Sequence, residues 1–124
     1  MRVRVIVVCL LLCALPGCFP GCQQTPLEAA ARRGREAVER CEDAYRVVYD
    51  DHRQGNTSAE ALETAKALYK AAMGEANAMG MALTMARAEA DDNLNDAPLA
   101  QAIAQHTATL QVAAANILAC KGGK

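Results

Sequence analysis

This sequence is short of most of the groups that specialised surfaces are built from. Of its 124 residues only 3% are aromatic, with no tryptophan, one phenylalanine and three tyrosines. Neither sign of charge dominates: 13 basic residues stand against 14 acidic ones, a formal net charge of −1. A chain without a basic face lacks the counter-charge that binding to a phosphate backbone requires, so nucleic acid is excluded as the main partner. Histidine occurs only at His52 and His106. No Cys/His cluster, Ser-His-Asp set, glycine-rich phosphate loop or inward pair of carboxylates can be assembled, which argues against an enzyme, a metal site or a cofactor. The longest apolar run, Val5 to Leu15, has 11 residues. Roughly 20 are needed to cross a bilayer as a helix, so this run is too short to span.

What the chain does have begins at its N-terminus. Arg2 and Arg4 precede that apolar run, which ends in Leu15-Pro16-Gly17-Cys18. A positive n-region, a short h-region and small residues at its end form a secretory leader. A cysteine directly after glycine, with leucine three residues before it, resembles the lipobox of bacterial lipoproteins. The resemblance implies cleavage before Cys18 and a diacylglycerol group on its thiol. Phe19-Pro20-Gly21-Cys22 repeats the pattern four residues later, so Cys22 is the alternative site of lipidation. A third reading is an ordinary signal peptide, with both cysteines as thiols or disulfide partners. Residues 1–17 are thus read as leader and 18–25 as a lipidated tether, of which the seven residues after Cys18 reach about 25 Å at most.

The remainder is helical in pattern, and its abundant alanine favours helices that approach closely through small side chains. Thr25, Pro26 and Glu28 make a capping box with proline at the first helical position. From there an apolar or small seam runs through Leu27, Ala31, Gly34, Val38, Cys41, Tyr45 and Val48. The charges between Arg32 and Arg46 fall on the opposite side, as a solvated helix face with i,i+4 pairs of opposite sign. Gly55-Asn56 marks a turn near Arg53, and Thr57-Ser58-Ala59-Glu60 reads as a second capping box. The second seam follows Leu62, Ala65, Tyr69, Ala72, Ala76, Met79 and Leu83, on to Ala86 and Ala90. Met73, Met79, Met81 and Met85 are read as core filling and helix formers rather than a soft-metal site. Asp91 to Asp96 interleaves acids with asparagines but lacks the glycine and glutamate of a calcium loop, so it is read as a turn, with Asn95 or Asp96 capping the next helix. The third seam is Leu99, Ile103, His106, Leu110, Ala113, Ile117 and Cys120, with His106 as a core or boundary residue. Residues 121–124 read as a solvated basic tail.

These elements predict an all-α fold, a three-helix up-down-up antiparallel bundle over 26–120, with helices at about 26–53, 57–91 and 97–120. Counting levels along such a bundle places Cys41 about 21 and Cys120 about 23 residues above its lower end, within roughly 3 Å of each other. The expectation is a Cys41–Cys120 disulfide worth roughly 4 kcal/mol in the chain-entropy account; two buried free thiols are the competing reading. A cysteine anchor, three-four repeats and a terminal lysine also resemble the murein lipoproteins, which would imply linkage of Lys124 to peptidoglycan. The Tyr-Arg-Lys ending of that family is absent, and turns replace its single helix.

The functional expectation is a small lipid-anchored lipoprotein of the bacterial cell envelope. It would act as a non-enzymatic interaction or spacer module, bound to the membrane by its lipid and partnered by another envelope protein. The alternative is an inhibitor or exclusion lipoprotein of the phage or plasmid type. By resemblance to lipoproteins of diderm hosts, Phe19 after the modified cysteine implies the outer membrane, facing the periplasm.

Overall fold

A computed structural model describes residues 25–89 and 97–124. Three helices, α1 (Pro26–Arg53), α2 (Ala59–Glu89) and α3 (Ala97–Leu118), pack against one another as an all-α bundle. The most extensive packing joins α1 to α3.

α1 starts where its capping signals put it. The Thr25 hydroxyl accepts the Glu28 N–H at 3.2 Å, and the Glu28 carboxylate accepts the Thr25 N–H at 3.3 Å, so two of the otherwise unpaired donors of the first turn are satisfied reciprocally. The helix ends at Arg53 with Gln54 as its C-cap, and the φ of 84° at the following Gly55 lets the chain turn away without the penalty a Cβ would bring.

The buried stripe of α1 is Leu27, Ala30, Gly34, Ala37, Cys41, Ala44 and Val48. Half of this departs from expectation. Leu27, Gly34, Cys41 and Val48 are core, but the intervening positions belong to Ala30, Ala37 and Ala44, not to Ala31, Val38 and Tyr45, which lie half-buried beside the seam. The smallest residues occupy the closest contact, as they must where two helix backbones approach. On the outer side, every charged residue from Arg32 to Arg46 is exposed. There Arg46 pairs with Asp43 at i,i+3.

In α2 the buried residues Ala65, Ala72 and Met79 follow the expected seam, flanked by half-buried Leu62, Tyr69, Ala76 and Leu83. Its start is shifted. Ser58, not Thr57, caps the helix, accepting the Ala61 N–H at 3.1 Å. Thr57 is buried and serves another contact. In α3, Ile103, Leu110 and Ile117 are fully buried. Thr107, absent from the expected seam, is buried with them, its hydroxyl donating to the Ile103 carbonyl at 2.8 Å. That intrahelical bond lets a polar side chain sit in an apolar stripe without an orphaned group.

Two contacts fix the register of α1 against α3. Cys41 Sγ meets the Leu110 carbonyl, and the Gly122 N–H meets Asp51, separations of 69 and 71 residues. The helices are parallel neighbours, offset by about seventy residues.

Candidate functional site

Three polar or aromatic constellations stand out on the bundle. The first closes the end where α1 turns into α2. Asp51 accepts the Thr57 hydroxyl and, at 3.2 Å, the Gly122 N–H, which also lies 2.8 Å from Thr57 Oγ1. The Ser58 N–H donates to the Gly123 carbonyl at 2.7 Å. A ring N–H of His52, on Nδ1, donates to the Thr57 carbonyl at 2.8 Å. Hydrogen bonding from Thr57 above all, then from Asn56 and Gly122, with the Lys121 charge nearby, holds the Asp51 carboxyl below the usual carboxylate range against the opposing effect of desolvation. The expected solvated tail is therefore corrected in its middle: Gly122 and Gly123 dock onto the α1–α2 turn, while Lys121 and Lys124 stay exposed. Glycine is required there, since Gly122 has φ 73° and a Cβ on Gly123 would lie 2.8 Å from Ala61 Cβ. Every group in this cluster has a structural partner, so it is a clasp rather than a reaction centre.

The second constellation is His106 with Glu75. Nδ1 of the ring stands 2.6 Å from Glu75 Oε1 across the α2–α3 groove, both side chains about one-third exposed or less. His106 is the boundary residue expected, but its partner was not foreseen. A signal for it exists. Glu75 is the sole charged residue between Ala71 and Met85, and His106 is the sole titratable residue of α3. Two lone ionisable groups on otherwise uncharged stretches are what a cross-helix pair looks like in sequence.

The third is aromatic. All three tyrosines gather where α1 meets α2. Tyr45 stacks on Tyr69 with ring centroids 4.8 Å apart and planes at 14°, and Tyr49 lies 6.4 Å from Tyr45. With Glu42 and Arg46 they line a shallow open cleft of about 280 Å³. Phenols, a guanidinium and a carboxylate around exposed ring edges combine apolar area with hydrogen bonding, the composition that marks contact hot spots on proteins. This cleft is the best candidate for a recognition surface. Sequence conceals the cleft because three-four spacing puts Tyr45 and Tyr69 on the core seams, whereas both are only half-buried.

The expected cysteine bridge is corrected. Cys41 and Cys120 are free thiols. Cys41 is fully buried and donates to the Leu110 carbonyl at 3.1 Å, and burial pushes its thiol pKa up. Leu110 precedes Cys120 by ten residues, about 15 Å along a helix, whereas bridged cysteines need Cα atoms within about 7 Å. The level count erred because it started α3 at the foot of α2, whereas the observed register starts α3 level with the first turn of α1. Cys120 is half-buried against the core, its thiol 3.6 Å from the Asn116 carbonyl in the last turn of its own helix.

Of the methionines, Met79 is buried while Met81 and Met85 are 66% and 61% exposed, so they do not converge. Among the described residues no group of three or more His, Cys, Asp or Glu is placed to hold a metal ion, and no helix is long and apolar enough to cross a membrane. Cys18, Cys22 and the segment 91–96 lie outside the described residues. No family model matches the chain, and neither a curated protein nor a solved structure matches it.

Proposed function

We propose that this chain is a small lipid-anchored lipoprotein of the bacterial cell envelope whose helical bundle serves as a non-enzymatic interaction or spacer module. What carries the reading is the closeness of two features: the lipobox-like Leu15-Pro16-Gly17-Cys18 and, seven residues beyond its cysteine, the doubly hydrogen-bonded cap that starts α1. An acyl chain on Cys18 would hold that end of the bundle near the bilayer. The 28 residues of α1 then extend about 42 Å at 1.5 Å per residue. Tyr45 and Tyr49 lie in the part of α1 away from its capped end, which suits the tyrosine cleft to meeting a partner beyond the headgroups. The outer membrane, on its periplasmic face, is the proposed location in a diderm host.

One acyl chain binds membranes only marginally, and stable anchoring takes two or more. The anchor is therefore expected to carry at least the two chains of a diacylglycerol. Intact-mass and peptide mass spectrometry of the protein recovered from membranes tests this. The expected result is a diacylglycerol thioether on Cys18 as the first residue. The same group on Cys22 keeps the function and moves the anchor by four residues. An uncleaved leader, or a mature N-terminus with neither cysteine modified, overturns the proposal.

A further inference from the structure

The two parts of α2 are held differently. Tyr69 stacks on Tyr45, and Met79 fills the space left by Gly34. α2 therefore runs antiparallel to α1, and beyond Met79 it lies alongside the first turns of α1. Up to that point it is anchored at every seventh residue by buried Ala65, Ala72 and Met79, and by the pairing of Glu75 with His106. From Gly80 to Met85 no residue is buried. Ala82 and Leu83 are half-buried against the core, whereas Gly80, Met81, Thr84 and Met85 are exposed. The other two helices are seated at the same end, α1 by buried Leu27 and Ala30 and α3 by buried Ile103.

Gly80 sits where this change occurs. Nothing lies within 4 Å of where its Cβ would be, so packing does not call for glycine there. Its effect is on the backbone, which has most freedom at glycine and least helical preference. The Gly80 carbonyl also accepts the Thr84 hydroxyl at 2.9 Å. Such a bond back to the preceding turn competes with the ladder of the helix and bends it. Gly74 stands in open space as well, but it precedes both Glu75 and Met79, and the residue four positions on is Ala78, which has no hydroxyl.

We infer that Gly80 is a hinge, and that residues 80–89 form a flap that opens from the bundle as a unit while Ala59 to Met79 stay packed. Local opening draws on segments with few buried apolar contacts, and the seat of Met79 against Gly34 is the pin at which the opening stops. The open flap uncovers the inward sides of Ala82 and Leu83 and the part of the core beside the start of α1. The closed bundle does not present that apolar surface. The hinge is a property of the bundle alone and does not rest on lipidation.

Hydrogen–deuterium exchange of the full-length chain, read by mass spectrometry on peptides from each part of α2, tests the hinge. Amides of 81–89 are expected to exchange at least tenfold faster than those of 65–75. They are expected to do so together, at a rate unchanged by low urea, because a local opening exposes little surface. Gly80→Ala, in open space, is expected to slow all of them about fivefold, the equivalent of the roughly 1 kcal/mol by which alanine outranks glycine in a helix. Gly74→Ala adds the same helical preference outside the flap and is expected to leave 81–89 within twofold of wild type. Ordinary fraying gives rates that fall steadily inward from Glu89, with Gly80→Ala slowing only the innermost amides; that pattern would overturn the hinge. So would protection over 81–89 equal to that over 65–75, or equal slowing by Gly74→Ala and Gly80→Ala.

Discussion

Gly34 is the position at which the packing of all three helices can be tested with one side chain. A Cβ there would stand 2.7 Å from Sδ and 2.9 Å from Cε of Met79, and 3.3 Å from Oγ1 of Thr107. For Gly34→Ala two effects oppose each other. Helix propensity favours alanine by about 1 kcal/mol. Against that, the Met79 thioether, only 4% exposed, must turn aside, at a cost of about 0.5–1.5 kcal/mol if it leaves its rotamer well. The alanine variant should therefore fall within about 1 kcal/mol of wild type. Gly34→Leu pushes three more carbons into the same filled space, and overpacking of that kind costs about 1–3 kcal/mol further. The expected net loss is about 2 kcal/mol, a fall in Tm of about 8–16 °C for a domain of this size. Urea and thermal denaturation followed by far-UV circular dichroism measure it. The reasoning also specifies which atom is in the way: Met79→Ala in the Gly34→Leu background should restore at least ~1 kcal/mol relative to simple additivity. A leucine variant as stable as wild type, or strictly additive losses, would refute the close approach of α1 to Met79.

Two further outcomes follow from the thiols and the clasp. Alkylation of native protein should modify Cys120, which is partly exposed, and spare Cys41 until the bundle unfolds; non-reducing peptide mapping that found the two joined would contradict the register of α1 and α3. Because the folded state holds the Asp51 carboxyl below its ordinary value near 4, its stabilising effect is complete above that value and is lost as the pH falls through the lower folded value. Asp51→Asn should lower stability at neutral pH and flatten the acid limb of the pH–stability profile, and an acid limb unchanged by the substitution would show that the clasp is not coupled to protonation.

Much of the architecture is legible in sequence because punctuation and period agree. Thr25-Pro26 with Glu28, and Gly55 with Asn56, bound α1 without ambiguity, and three-four spacing identifies Ala65, Ala72 and Met79 in α2. What sequence obscured is how alanine competes with bulk. Given a choice between Ala37 and Val38, or Ala44 and Tyr45, hydrophobicity selects the larger residue, while the geometry of close helices selects the smaller. That preference hides the tyrosine cleft, since reading Tyr45 and Tyr69 as core leaves no aromatic surface to expect, whereas both pack against the core at its edge. Thr107 was missed because its hydroxyl is satisfied by its own helix, something residue type alone does not reveal. The cysteine pairing failed for a different reason. Seam membership is a property of one helix, whereas register depends on where the next helix starts, and a shift of a few residues there moves every cross-helix pair by about 1.5 Å per residue. The pairing of Glu75 with His106 was readable only as two isolated ionisable residues on neutral stretches, a pattern without a motif.

The seventy-residue offset between α1 and α3 has a consequence for the order in which the molecule is made. Helical bundles usually fold quickly because their contacts are local, but here the most extensive packing joins the first helix to the last. At synthesis rates of about 5–20 residues per second, α1 waits about 4–14 s for the segment that covers Cys41 and Val48. The Asp51–Thr57 turn waits as long for Gly122 and Gly123. During that interval α1 has only α2 to pack against, through Tyr69 and Met79, and the side that α3 covers stays open. The bundle therefore closes last at the end where Gly122 and Gly123 meet the α1–α2 turn, once nearly all of the chain has been made.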